Sequence, residues 1–309
     1  MTTKLELNEA QFTHLMSIES HCTSVEISNS LEMEVDAEAL IKHLKQVTGT
    51  DRIEKLIINY NSSLEDLSIL QAFTNLKILY VYGQYIKTFD GIEWFTKGEY
   101  IQVQTHRNRR RDISKLSQTK VERMDIYVER MEDYLSAANC ENLKKIELYH
   151  SAIEPDFIEW KKSSVEEMSF KSCKFKEMGD TALVSRLTKL NVRGCRSFER
   201  FKGDNSNIKR LEVDNCRKLD MSTLRTFSGA EALLANSCTQ EFNLTDIGRL
   251  ENVKHLSFML CNVEVDLINL KDYYPNQESL HISKIKKDFG LQLKRLNPDI
   301  KITSSSFEL

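Results

Sequence analysis

From Leu56 to Ile282 the chain returns, at a nearly fixed interval, to two apolar residues flanking one variable residue. The pairs are Leu56-x-Ile58, Leu79-x-Val81, Ile101-x-Val103, Met124-x-Ile126, Ile146-x-Leu148, Met168-x-Phe170, Leu190-x-Val192, Leu211-x-Val213, Leu233-x-Ala235, Leu256-x-Phe258 and Leu280-x-Ile282. Between Leu79 and Leu256 the first members lie 21 to 23 residues apart. Most pairs follow another apolar residue three positions earlier: Ile53, Leu76, Val121, Leu143, Val165, Leu187, Ile208 and Val253. Alternation of this kind puts both members of a pair on one side of a short strand. The rest of each period can hold a short helix or an irregular turn that brings the chain back. One such unit cannot cover its own apolar face, so the units must stack and their strands must pair in parallel. At roughly 1.5–3 kcal/mol per buried large apolar side chain, the shared core is the main source of stability.

Three residues after several pairs comes an Asn or a Cys: Asn61, Cys173, Cys195, Cys216, Cys238 and Cys261. The full pattern reads L-x-x-L-x-L-x-x-N/C, and on it the chain resembles the leucine-rich-repeat family over roughly residues 22 to 303. The resemblance implies an α/β fold: a leucine-rich-repeat solenoid with a concave parallel β-sheet and short helices or irregular turns on the convex side. The whole span 1–309 is then expected to be a single solenoid. Residues 1–50 form an N-terminal cap and atypical first repeat, 51–275 the repeats, and 276–309 the last repeats and C-terminal cap. In the cap, Asn8 is expected to begin a helix carrying Phe12, Leu15 and Met16. Val25-x-Ile27 reads as a degenerate strand, and Asp36 as the start of an amphipathic helix with Leu40, Ile41, Leu44 and Val47, stopping near Gly49. At the other end a helical return around Leu291–Leu296 leads to a last pair, Ile300-x-Ile302. No appended effector domain is expected.

The five cysteines would suggest a metal or redox site if the repeat were ignored. Their separations of 22, 21, 22 and 23 residues are the repeat period and match no zinc spacing. The family places such residues inward, satisfying backbone at the strand ends, so they are expected to be buried and reduced.

The chain carries 46 acidic and 43 basic residues, a formal charge of -3, which gives no global attraction to nucleic acid or anionic membranes. Only 3 prolines and 10 glycines occur, so no linker stands out. The N-terminal residues lack a basic stretch followed by an apolar core, and no 18-residue apolar run exists. With seven cysteines and no export signal, the expected compartment is the cytoplasm.

Leucine-rich-repeat proteins most often dock partners on the concave sheet, so the variable residues around each pair are the candidate surface. Tyr60, Tyr80, Tyr82, Tyr127 and Tyr149 fall there, with Asp125 and Glu147 among them. Tyrosine is enriched at binding hot spots, and it also favours strands for packing reasons alone. Later units turn basic at Lys171, Lys189, Arg193 and Arg210, then acidic at Glu212 and Asp214, as charge steering or a solvated face would have it. The run Arg107-Asn108-Arg109-Arg110-Arg111 reads as a solvated loop ahead of a phosphate contact.

The seven histidines are scattered, and no G-x-S-x-G, H-E-x-x-H or phosphate-cradling glycine loop occurs. His150 beside Glu147 and Tyr149 is the one polar cluster that hints at chemistry. The expectation is a monomeric, non-enzymatic protein-binding module without cofactor or metal, with another protein, of basic character, as partner and neither nucleic acid nor membrane. By architecture it looks like small cytosolic bacterial repeat proteins of the immunity or inhibitor type. An adaptor that recruits a client to an enzyme, an enzyme and a nucleic-acid binder are the alternatives.

Overall fold

A computed structural model of the chain describes residues 3–8, 15–28, 37–104, 111–305 and 307–308. They fall into two compact units, residues 1–146 and 147–309.

The first unit carries β1 (Thr3–Asn8), β2 (Cys22–Ser28), β3 (Lys55–Ile58), β4 (Ile78–Val81), β5 (Tyr100–Val103) and β6 (Arg123–Tyr127), each paired in parallel with the next. The register is that of the sequence repeat: Leu56 lies beside Leu79, Leu79 beside Ile101, and Ile101 beside Met124. These residues and their partners Ile58, Val81, Val103 and Ile126 are all fully buried. The returns hold α1 (Ala37–Leu44), α2 (Met131–Ala138) and 3-10 turns at Thr50–Arg52, Ser68–Ala72, Ile92–Trp94 and Ser114–Gln118. Leu40, Leu44 and Val47 are buried, and Gly49 ends the segment with φ 96°. Gly91 opens its turn at φ 91°, and a Cβ there would sit 2.5 Å from the Leu67 carbonyl carbon, so only glycine fits.

The N-terminal expectation is corrected. Thr3–Asn8 is a strand, and Leu5 and Leu7 lie beside Val25 and Ile27 of β2. Leu5-x-Leu7 is one more apolar-x-apolar pair, and stacking it on the next unit takes precedence over the capping preference of Asn8. Leu15 and Met16 are not helical, and Met16 is 77% exposed. Phe12 lies outside the described residues.

The strand β7 (Lys145–Tyr149) carries the division between the units. The second unit continues with β8 (Glu167–Lys171), β9 (Glu177–Met178), β10 (Lys189–Arg193), β11 (Arg200–Phe201), β12 (Arg210–Asp214), β13 (Ala232–Asn236), β14 (Phe242–Asn243), β15 (His255–Met259), β16 (Val263–Glu264), β17 (Ser279–Ile282), β18 (Lys301–Ser304) and β19 (Phe307–Glu308). The main ladder runs β8, β10, β12, β13, β15, β17, β18, all parallel, with β19 antiparallel on β18. In the returns, β9 pairs with β11 and β14 with β16. A helix, α3 (Lys287–Leu296), precedes β18.

Here too one register is corrected. Leu280 lies beside Ile302, so the last inward pair is Ile302-x-Ser304 and not Ile300-x-Ile302. Ile300, fully buried in the turn that Asn297 closes, takes the place of the leading apolar residue of its repeat.

Behind the second unit's strands runs an edge-to-face stack, Phe170, Phe175, Phe198, Phe201 and Phe227, with successive centroids 5.4, 5.4, 4.8 and 4.7 Å apart. Such pairs add about 0.5–1.5 kcal/mol each beyond their buried area.

The cysteine column is buried as expected. The residue before each cysteine is left-handed: Ser172, Gly194, Asn215, Ser237 and Leu260 have φ between 51° and 66°. The turn aims the first four of these amides at the next strand of the ladder, and that of Leu260 at the Ser283 hydroxyl at 2.6 Å. Ser172 N–H donates to Arg193 O, Gly194 to Asp214 O, Asn215 to Asn236 O and Ser237 to Met259 O, each at 2.8 Å. It also swings the cysteine inward, where Cys173 Sγ lies 3.5 Å from Leu148 O, Cys195 Sγ 3.6 Å from Phe170 O and Cys216 Sγ 3.5 Å from Val192 O. Contact with the Cys195 thiol and burial push the Cys173 and Cys216 thiols up. Outside the column, burial, opposed by the hydrogen bond with Thr119, pushes Cys140 up to about 12.

Candidate functional site: the outward strand positions

In the first unit, strand alternation sends Lys55, Ile57, Tyr80, Tyr100, Gln102, Arg123 and Asp125 to the side of the sheet opposite the buried pairs. The register sets Tyr80, Gln102 and Asp125 in one row. Tyr80 is the centre of an aromatic group, its ring centroid 5.8 Å from that of Tyr82 and 5.6 Å from that of Tyr100, the latter edge-on at 70°. The Tyr100 hydroxyl donates to Asp125 Oδ2 at 2.8 Å and lies 3.1 Å from Gln102 Oε1. Arg123 stacks over the Tyr100 ring at 5.1 Å, with its Nε 3.8 Å from Asp125 Oδ1. Lys55 Nζ stands 4.8 Å above the Tyr80 ring. Asn59 donates to the Glu26 carboxylate, and its own Oδ1 accepts from the Tyr60 amide at 2.6 Å. Tyr60 is half exposed, whereas Tyr80, Tyr82, Tyr100 and Tyr127 are partly covered by one another's strands.

The electrostatics follow from this crowding. Burial, then the neighbouring Tyr80 and Tyr127 hydroxyls and the Asp125 and Glu26 carboxylates, push Tyr82 up to about 12. Burial and the bond to Asp125 push Tyr100 up still further. Asp125 was read from sequence as an exposed carboxylate. It is 5% exposed, held under the aromatic group by Tyr100 and Arg123. Tyr100 itself escaped the sequence reading. The signal was available, because the residue just before each apolar pair shares the outward face with the residue between the pair.

The second unit's candidates form smaller groups. The Tyr149 hydroxyl donates to Glu147, Lys171 Nζ lies 2.5 Å from Glu147 Oε1, and the same ammonium stands 5.3 Å over the Tyr149 ring. Glu147 is 7% exposed. Farther along, Glu212 binds Arg193 and Arg210, both at 2.7 Å. Burial opposes its charge, but the two guanidiniums hold its carboxyl below the usual range. Asp214 Oδ1 accepts from Asn236 Nδ2 at 2.8 Å. Alternating charges that the sequence left open thus engage one another. Lys189 is exposed. His150 is exposed at the end of its strand with φ 56°.

Arg107–Arg110 lie outside the described residues, and Arg111 is not a solvated loop residue. It is 4% exposed and donates to Ile86 O at 3.1 Å, Gln104 O at 2.8 Å and Gly83 O. Burial pulls its guanidinium down to about 10, opposed by Asp133. It lines a 350 Å³ cleft with Lys87, Arg130 and Asp133. Among the described residues no group of three or more His, Cys, Asp or Glu is placed to hold a metal ion. No helix among them is long and apolar enough to cross a membrane.

No family model and no curated protein matches the chain. Solved structures do resemble it. An internalin of Listeria monocytogenes is 18% identical, with a TM-score of 0.49 over 90% of this chain and 89% of that one. The functional domain of InlJ from Listeria monocytogenes, which includes a cysteine ladder, is 12% identical, with a TM-score of 0.40 over 97% of this chain and 72% of that one. A leucine-rich-repeat protein of Leptospira interrogans is 11% identical, with a TM-score of 0.41 over 97% and 89%. The chain's own period, the parallel ladder that advances one strand per repeat and the buried apolar pair in each strand give each unit the leucine-rich-repeat fold.

Proposed function

We propose that the chain is a non-enzymatic module that docks a partner protein on the outward strand positions of its first unit, with Tyr60, Tyr80, Tyr82 and Tyr127 as the contact residues. The observation that supports this reading is the aromatic group around Tyr80, with ring centroids 5.6 and 5.8 Å from their neighbours on a face the core does not need. Tyrosine rings held by neighbours and by a hydroxyl–carboxylate bond lose little freedom on contact, which suits them to hot spots. Glu147 and Tyr149 offer a second, smaller contact point in the second unit. Lys171, Arg193, Glu212 and Asp214, already engaged with neighbours, act there as a polar rim and not as charges that dominate affinity.

Affinity capture from the native host tests the proposal, with tagged wild type compared against a Tyr82→Ala/Tyr127→Ala variant of equal melting temperature. Loss of a discrete partner with the variant is expected, since truncating a hot-spot tyrosine costs about 2 kcal/mol or more. Equal capture by both would move the site off this face.

A further inference from the structure

We propose that the outer edge of β1 pairs with the same edge of a second copy of this chain, antiparallel and about a two-fold axis. The protein is then a homodimer where the sequence reading expects a monomer. The inference goes beyond the docking face and does not depend on it. The open edge, the phase of its backbone and its charge pattern carry it.

Among the described residues, β1 (Thr3–Asn8) pairs with β2 on one side and with no strand on the other. An edge strand of six residues presents a row of backbone donors and acceptors that templates a further strand. The second unit shows how this chain closes such an edge. There β19 lies antiparallel on β18, with Thr303 beside Glu308 and Ser304 beside Phe307.

The phase of the ladder fixes which residues of β1 serve the open edge. Successive residues of a strand turn their N–H and C=O to opposite neighbours. Asn59 N–H donates to Ile27 O at 2.8 Å, Tyr82 N–H to Ile58 O at 2.9 Å and Gln104 N–H to Val81 O at 3.0 Å. In each strand, then, the apolar pair turns its backbone to the following strand, and the alternate residues turn theirs to the preceding one. Leu5 lies beside Val25 and Leu7 beside Ile27, which puts β1 in the same phase. Leu5 and Leu7 therefore bond to β2, and Lys4, Glu6 and Asn8 turn their backbone groups to the open edge.

Charge then selects the partner and the register. An antiparallel copy must set these same residues opposite one another, because only they have backbone groups to exchange. A register centred on Lys4 puts lysine against lysine, and one centred on Glu6 puts glutamate against glutamate; like charges directly opposite are destabilising. The register centred on Leu5 sets Lys4 of each copy against Glu6 of the other, and both pairs exchange their backbone bonds. It also places Leu5 opposite Leu5 and Thr3 opposite Leu7. The edge is thus self-complementary, as a two-fold interface requires.

The test uses the full-length wild type, Lys4→Glu and Glu6→Lys. Either substitution puts like charges at both facing pairs, and mixing the two variants restores opposite charges. Sedimentation equilibrium over a wide concentration range should find wild type in monomer–dimer exchange. Each variant alone should have a dissociation constant about tenfold higher or more, and their equimolar mixture should regain the wild-type constant. Residue-resolved amide exchange of wild type gives a readout that needs no substitution: the Lys4 and Glu6 amides should slow as the protein is concentrated. A monomeric wild type, variants that dimerise as wild type does, a mixture that stays monomeric, or exchange at Lys4 and Glu6 indifferent to concentration overturns the proposal. If purified wild type stays monomeric and captures a host protein in a way that Lys4→Glu abolishes, a foreign strand occupies the edge, and the homodimer falls.

Discussion

The Tyr100 hydroxyl donates to Asp125 Oδ2 at 2.8 Å across adjacent strands, and this bond fixes the floor of the aromatic face. Tyr100→Phe keeps the ring and removes the donor from a carboxylate that is 5% exposed. An unmet buried acceptor costs about 1–3 kcal/mol. Urea unfolding should show that loss with an unchanged slope, and a neutral result would mean Arg123 alone suffices for Asp125.

Alkaline pH should act on the same cluster. Tyr82 rises to about 12, and burial moves Tyr100 and Tyr274 in the same direction. An unfolded tyrosine ionises near pH ~10. Between there and pH 12 the unfolded chain has released its protons while folded Tyr82 still holds its own, so raising the pH favours unfolding. The stabilisation is complete below pH ~10 and declines as pH rises through 12. Absorbance at 295 nm should show that some of the ten tyrosines titrate only as the protein unfolds. A single native transition for all ten near ordinary values would contradict the burial of this face.

Arg111 ties three backbone carbonyls together, from Gly83, Ile86 and Gln104. Arg111→Met should cost roughly 1–3 kcal/mol through the carbonyls it leaves unmet. Arg111→Lys should recover little, because an ammonium is a point charge and lacks the planar fork. Thermal melts of the two variants decide this, and a lysine variant as stable as wild type would show that charge and not geometry matters.

Much of this architecture was legible in the sequence because a period of 21 to 23 residues with an apolar-x-apolar core has few physical solutions. The strands at Leu56, Leu79, Met124, Leu190, Leu211 and Leu256 fall where alternation puts them. The ends were less legible. At Leu5-x-Leu7 a short pair beside an Asn favoured a helix cap, and only the parallel contact with Val25 and Ile27 makes it a strand. At Ile300 two alternating apolar residues offered two registers, and the turn at Asn297 selects the second. In the face itself, Tyr80 and Asp125 were placed in the right row. The burial of Asp125 was not legible, because it depends on the ring of Tyr100 and the stem of Arg123 arriving from other strands. The phenylalanine stack escaped for the same reason: Phe170 comes from a strand, but Phe175, Phe198, Phe201 and Phe227 come from returns that have no fixed period.

Leu260 is the one large apolar residue in the left-handed column, with φ 51° and 56% of its surface exposed. That conformation costs a non-glycine residue about 1–2 kcal/mol, and asparagine tolerates it better. Leu260→Asn should raise the melting temperature, by up to about 1 kcal/mol in stability. A lower melting temperature would mean that Leu260 makes a compensating contact.

The most direct test of a docking face is a photo-reactive side chain placed on it. Benzoylphenylalanine at position 127 lies on the aromatic face. The same group at Gln118, exposed in the 3-10 turn Ser114–Gln118, lies on the return side of the same unit. Irradiation in the native host should yield one discrete crosslinked protein from position 127 and none from position 118. A crosslink from position 118 and silence from position 127 would contradict the account.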